Sequence, residues 1–195
     1  MATAARHTIT PEEYLALDRA AETKSEYYSG EVFAMKGATE EHNLVVGNLV
    51  RELGNRLRQS PCKVYPSDMR VQVPTGLYTY PDVSIVCAQP AFLGDRRDTL
   101  LNPIVLIEVL SGSTEAYDRG LKFEHYGAIP SLHEYLLVST VRPRIERYRR
   151  QSDEGWLFDA AAGLESTLRL TAVNVELPLA EVYARVEFPE HPPLR

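Results

Sequence analysis

Three side chains in the middle of this sequence are of types that could do chemistry together. They are Asp82 in Tyr80-Pro-Asp-Val-Ser84, Glu108 in Ile104-Val-Leu-Ile-Glu-Val-Leu110, and Lys122 in Asp118-Arg-Gly-Leu-Lys122. Glu108 interrupts a run of apolar, mostly branched residues, the composition of a strand covered on both faces. An unpaired carboxylate buried there would cost more than a domain's net stability, so Glu108 needs a cation: a metal, a lysine or an arginine. Asp82 begins one predicted strand and Glu108 ends the next. Neighbouring strands lie ~4.8 Å apart, so the two carboxylates could share one divalent ion. Mg²⁺, with Mn²⁺ as a substitute, needs few protein oxygens and keeps several waters, so Asp82, Glu108 and the backbone carbonyl of Val109 suffice. Such an ion lowers the pKa of bound water and neutralises charge on a phosphoryl group, and Lys122 could hold the water or the phosphate oxygens. Together these are the parts for cleaving a phosphodiester. Metal-free readings stay open: Glu108 paired with Lys122, Asp82 capping a strand turn, and Asp118 with Lys122 as a surface ion pair.

The elements that must position these residues can be read along the chain. Thr10-Pro-Glu-Glu13 is a capped helix start with a capping box, Ile9 and Tyr14 are placed for a hydrophobic staple, and the helix runs to about Arg19. Ser29-Gly30 turns a hairpin within Lys24–Met35. By themselves Glu26 and Glu31, on either side of that turn, read as solvated charges. Thr39 caps a long amphipathic helix carrying Val46, Leu49, Val50, Leu53 and Leu57 and ending near Ser60-Pro61. His42, at the edge of its apolar face, reads as a packed or hydrogen-bonded histidine rather than a ligand. Strands are expected over Asp68–Val73, Tyr80–Cys87, Ile104–Leu110 and Glu134–Ser139, with a helix capped by Ser113 or Thr114 and ending near Gly127. That strand–helix–strand unit should be a right-handed crossover between parallel strands. On the helix, Asp118, Lys122 and Tyr126 share one face. Arg144–Arg150 should pair with Gly155–Phe158 as a hairpin, Leu168–Leu170 and Val175–Val182 should finish the sheet edge, and the tail from Pro189 should fray.

The bulk properties set the frame. A chain of 195 residues can bury one core, and no linker divides it, so one domain over 1–195 with a core of about 10–188 is expected. A net charge of -6 provides no global field for nucleic acid, so any such binding needs a local patch. Cys62 and Cys87 do not make a disulfide framework. The first residues hold no apolar signal segment and no stretch approaches membrane-spanning length, so a cytoplasmic soluble domain with no membrane partner is expected.

Tyr80-Pro-Asp82-Val-Ser, Leu106-Ile-Glu108-Val-Leu-Ser and Tyr117-Asp-Arg-Gly-Leu-Lys122-Phe-Glu-His-Tyr126 resemble the Uma-two family of restriction endonuclease-like proteins, within the PD-(D/E)XK nuclease superfamily. The similarity runs from Thr10-Pro-Glu-Glu-Tyr14 through Gly30-Glu31 and His42 to Tyr135. It implies an α/β fold, a restriction-endonuclease-like mixed β-sheet core flanked by helices, with an N-terminal helix and hairpin and a C-terminal β-hairpin extension. It further implies Mg²⁺ at Asp82 and Glu108 and an endonuclease acting on nucleic acid, with DNA as the expected substrate and a homodimer as the expected assembly. In the superfamily's usual spelling the lysine follows the glutamate by two residues. That position is Leu110 here, so the role passes to Lys122, and Glu26 helps orient the metal or its waters. Two departures are Ser111-Gly-Ser113 for the family's Ser-Pro-Ser, and Tyr135-Leu-Leu-Val-Ser139 for its Tyr-Trp-Leu-Val-Asp. Two further functions stay open. One is a non-catalytic nucleic-acid-binding module using Arg142, Arg144, Arg147, Arg149 and Arg150 with Tyr148, a segment that also reads as a charge-protected edge strand. The other is a structural module whose carboxylates only support packing.

Overall fold

A computed structural model describes residues 8–152 and 155–188; the expected fraying from Pro189 lies outside them. Helix α1 (Pro11–Ala20) starts at the Thr10 capping box, with the Thr10 hydroxyl accepting from the Glu13 N–H and the Glu13 carboxylate accepting from the Thr10 N–H. Strands β1 (Ser25–Tyr28) and β2 (Glu31–Ala34) form the hairpin, turning through Ser29 (φ 51°) and Gly30 (φ 88°). Two positive φ values in a two-residue turn suit the twist of the flanking strands. Tyr14 and Leu15 pack on Tyr27 and Tyr78, with Ile9 beside them as the staple requires.

Helix α2 (Glu40–Leu57) is capped by Thr39 as expected and buries Val45, Leu49, Leu53 and Leu57. Its buried stripe is rotated slightly from the expected one: Val46 and Val50 are half-buried, and Asn48 is inside. The Asn48 amide donates to the carbonyls of Val182 (2.9 Å) and Ala184 (2.9 Å), which accounts for a buried polar group on the apolar face.

The remaining elements are β3 (Cys62–Pro66), β4 (Arg70–Gln72), β5 (Tyr78–Thr79), β6 (Val83–Cys87), β7 (Thr99–Leu100), β8 (Val105–Val109), α3 (Glu115–Arg119), α4 (Leu121–Gly127), β9 (Glu134–Val138), β10 (Arg144–Arg150), β11 (Trp156–Ala162), β12 (Thr167–Leu170), β13 (Val175–Pro178) and α5 (Leu179–Val182). The main sheet has the order β11-β10-β9-β8-β6-β3, and β8 and β9 are parallel, as a helical crossover requires. A second sheet has the order β2-β1-β5-β4-β7, and β12 and β13 pair separately.

The main sheet is the middle layer. Val83, Ile85, Val105, Ile107 and Val109 face α2, together with apolar residues of β12, β13 and α5. Val86, Leu106, Leu110 and Leu137 face the other way, toward Tyr126 of α4 and the second sheet. The alternation along β8 follows from the period of two in a strand.

Several expectations are corrected. Cys62 and Cys87 are disulfide-bonded, because the β3–β6 register sets them directly opposite one another. Strand β6 begins at Val83 rather than Tyr80, consistent with a Pro81 that has no ladder donor. The helix expected up to Gly127 is in two pieces meeting at Gly120. Leu168–Val182 folds as its own hairpin and helix over α2 instead of finishing the main sheet. The arginine-rich β10 is an inner strand, covered by β11, and so needs no edge protection.

One buried network ties these layers near Asp82. Arg70 donates to Asp18 Oδ2 (2.6 Å), the Tyr80 hydroxyl (3.0 Å) and Thr99 Oγ1 (2.8 Å), and the Asp18 carboxylate also accepts from the Ser25 N–H (2.9 Å). This fixes the Tyr80-Pro81-Asp82 segment against α1 and β7. Among the described residues, no helix is long and apolar enough to cross a membrane.

Candidate active site

Antiparallel pairing of β6 and β8 sets Val83 against Ile107, which brings Asp82 and Glu108 to the same end of two adjacent strands. Glu108 shares the face of Leu106 and Leu110, so it points at α4 rather than at α2. There the Lys122 ammonium donates to Glu108 Oε1 (3.0 Å), and the Tyr126 hydroxyl donates to the same oxygen (2.7 Å). Lys122 Nζ is also 3.3 Å from Glu26 Oε1 and 3.3 Å from Asp118 Oδ1. Glu26 accepts from the Thr79 hydroxyl on the neighbouring β5. On the other strand, Asp82 Oδ2 accepts from the Val109 N–H (2.7 Å) and lies 3.3 Å from His42 Nε2.

Glu108, Asp118 and Lys122 are buried, at 4%, 2% and 5% exposure. Three carboxylates, Glu26, Glu108 and Asp118, therefore contact a single ammonium, and Asp82 acts on Glu108 from the next strand. The titration behaviour reflects this excess of negative charge. Burial pushes Glu108 up to about 8, with Asp118 and Asp82 adding to the rise and Lys122 opposing it. Burial likewise raises Asp118 against the pull of Lys122. For Lys122 burial works against the charge, but Glu108, Glu26 and Asp118 outweigh it and hold its pKa well above the usual lysine value. His42 is also raised: burial disfavours its charged form, and the Asp82 carboxylate with the Val109 carbonyl more than compensates.

The residues present fit a hard divalent cation. Asp82, Glu108 and the Val109 carbonyl are oxygen donors of the kind Mg²⁺ takes, and the cluster carries more negative charge than Lys122 balances. His42 Nδ1 is buried beside them, and Asp118 Oδ1 has no partner there beyond its 3.3 Å ion pair with Lys122. Among the described residues, no three His, Cys, Asp or Glu side chains are arranged to hold an ion by themselves. An ion here would rest on two carboxylates, the carbonyl and waters, which is a coordination Mg²⁺ accepts.

The cluster forms the floor of an open cleft of about 810 Å³, walled by the β2 hairpin and the segment to Thr39 on one side and by Ser111–Thr114 and Tyr117 on the other. The structure thus brings together all the expected site residues, Asp82, Glu108, Val109, Lys122 and Glu26. Glu26 is not the solvated charge its hairpin position suggests, because Lys122 and Thr79 meet it inside. Asp118–Lys122 is a buried pair rather than a surface one. The sequence pattern marks Tyr126 only as sharing a helical face with Lys122, and it does not single out Thr79 or Tyr117 as part of the site. Spacing of four residues from Lys122 was the available signal for Tyr126; nothing marked Thr79. The arginines of β10 are largely committed elsewhere: Arg144 to Glu146, Arg147 to Asp159 and Glu134, and Arg150 to the carbonyls of Gly127, Ile129 and Leu132.

A mixed central sheet with two acidic side chains at one end of adjacent strands and a helix-borne lysine against them defines an α/β protein of the restriction-endonuclease-like class. The likeness extends to a solved structure, described as a "putative nuclease belonging to DUF820" from Anabaena variabilis, with a TM-score of 0.71 at 17% identity over 90% of this chain and 98% of that one. The chain belongs to the Uma2 (Uma-two) family, whose model, described as "Putative restriction endonuclease", matches residues 11–180. Two relatives come from Synechocystis and are named only as uncharacterised proteins. The protein slr1290 is 36% identical over 92% of this chain and 94% of its own length, and sll1609 is 32% identical over 90% and 99%.

Proposed function

We propose that this chain is a Mg²⁺-dependent endonuclease that hydrolyses nucleic-acid phosphodiester bonds, with Mn²⁺ able to substitute. The observation that carries this reading is the placement of Asp82 and Glu108 at one end of neighbouring antiparallel strands, on the floor of an open cleft, with Lys122 bonded to Glu108. Asp82, Glu108 and the Val109 carbonyl would hold the ion, which when bound supplies a water of lowered pKa and neutralises charge at phosphorus. The Val109 N–H and His42 orient the Asp82 carboxylate. Tyr126 fixes one oxygen of Glu108, leaving that side chain little freedom to turn. Lys122 is placed to hold a phosphate oxygen or the attacking water, and Glu26 and Asp118 keep its ammonium charged and in position. The proposed substrate is DNA, and the proposed assembly is a homodimer.

Calorimetric titration of Mn²⁺ into the wild type, Asp82→Ala and Glu108→Ala tests the site. Binding by the wild type that both variants lose, together with loss of cleavage across a panel of DNA substrates, is the expected result. The direct Lys122–Glu108 bond of 3.0 Å favours one second reading, a metal-free buried ion pair on a non-catalytic nucleic-acid-binding or structural module. A wild type that binds no Mn²⁺, or an Asp82→Ala variant that binds it equally well, would establish that reading instead.

A further inference from the structure

The β1–β2 pairing sets Phe33 directly opposite Glu26. Directly opposed residues of an antiparallel pair lie on the same face, and Glu26 is the hairpin residue that reaches Lys122. Phe33 therefore faces the same cleft, one strand further out, and it is among the residues that line it. Phe33 is 48% exposed. Among the described residues it stacks on no other ring, although most of the protein's aromatic side chains do so, as Tyr14, Tyr27 and Tyr78 do with one another. An aromatic ring at the rim of a polar site offers a flat apolar face on which a planar group can stack.

The charge of the cleft narrows what that partner is. Of the residues lining it, Glu22, Glu26, Asp68, Asp82, Glu108 and Asp118 are acidic, against three lysines. Lys122 is taken by the carboxylates, and Lys24 is bonded to Asp68 and the Ser67 carbonyl. Lys36 is the third. Duplex binding draws its affinity from many phosphate contacts, and this wall offers few cations for them. Single strands add to their phosphate contacts the stacking of each unpaired base on an aromatic face, whatever the sequence, and so depend less on cations alone.

We infer that the cleft takes single-stranded nucleic acid, with one unpaired base stacked on Phe33 and its phosphate carried inward past Glu26 toward Asp82 and Glu108. The direction of the phosphate rests on the nuclease reading; the stacking of the base does not. Phe33 contacts substrate and sets which form of it enters, while the carboxylates and Lys122 stay as they are.

The test is fluorescence anisotropy with the full chain in EDTA, using a labelled single-stranded DNA oligonucleotide, the RNA strand of the same sequence, and the DNA duplex. The strands are expected to bind at least tenfold more tightly than the duplex, and the tighter of the two identifies the sugar preferred. Phe33→Ala should weaken strand binding by about tenfold or more, while Phe33→Trp should retain it and show indole quenching on binding. Tighter duplex binding, no binding of either strand, or unchanged binding by Phe33→Ala would each overturn the inference. Calorimetry separates this from the nuclease reading: Phe33→Ala should bind Mn²⁺ like the wild type. A wild type that stacks the strand on Phe33 but binds no Mn²⁺ would sink the nuclease reading and leave the stacking intact.

Discussion

Replacing Glu108 with Gln should make the metal-free protein more stable at alkaline pH. Glu108 is buried among like charges, and its pKa stands at about 8 in the folded chain against the ordinary 4.5. A folded pKa above the unfolded one contributes stability that is complete below about pH 4.5 and is lost as pH rises through about 8. At ~1.36 kcal/mol per pKa unit the full loss is on the order of 5 kcal/mol. A glutamine amide has nothing to lose over that range, and its oxygen can still accept from Tyr126 and Lys122. Urea unfolding in EDTA at several pH values between 5 and 8.5 measures the difference. The wild type should lose roughly 3–5 kcal/mol across this range, and Glu108→Gln clearly less. His42 and Asp118, both raised, account for the slope that remains in the variant. Lys122 contributes nothing to it, since its own loss begins only above the usual lysine value. Adding Mn²⁺ should then restore the wild type alone, by about 2.7 kcal/mol at a hundredfold excess over its Kd. Parallel pH profiles, or a Gln variant less stable than the wild type at pH 8.5, would refute the account of Glu108 as a carboxylate held at a cost.

Three further outcomes are expected. Arg70→Met should destabilise by about 3–5 kcal/mol in chemical unfolding, because it leaves the buried Asp18 carboxylate without its cation. Cys62→Ser should lower stability by about 3 kcal/mol under oxidising conditions, for a link closing a sequence separation of 25 residues, and the difference should vanish when both proteins are melted in a dithiol reductant. Gly30→Ala should cost about 1–2 kcal/mol by thermal melting, since Gly30 holds φ 88° and an added Cβ would come within 2.8 Å of Thr8 Cβ.

The sequence was most legible where an apolar pattern was broken. Glu108 stood out because a carboxylate interrupts a branched run, and that one anomaly led to Asp82 and Lys122. Caps and turns were equally clear at Thr10, Thr39 and Ser29-Gly30, because their chemistry is local. What escaped was set by tertiary partners. Strand β3 shows no buried run because it is the outer strand of its sheet, and its residues are half-exposed or exposed. Arg70 looked like an ordinary alternating polar residue, yet it is buried on Asp18, 52 positions away. The cysteine link depended on a register that neither cysteine announces. Glu26 needed its neighbour Thr79 and the distant Lys122 to be recognisable as anything but a surface charge, so only the family resemblance pointed to it.

The lysine's place on α4 has a consequence for how such proteins diverge. On a strand, a lysine two residues after the glutamate is bound to the pleat, and moving it by one residue turns it to the opposite face. Position 110 is instead a leucine packed into the core, and the ammonium arrives from a helix lying across the sheet. A helix offers equivalent positions three and four residues apart along one face, so the cation can be recruited from another turn without disturbing the strands that carry the acids. The sequence interval between Glu108 and Lys122 is then not fixed by the strand pleat. Related chains are better sought by two acids at the same end of neighbouring strands, followed by a lysine on the face of the next helix, than by any fixed interval between letters.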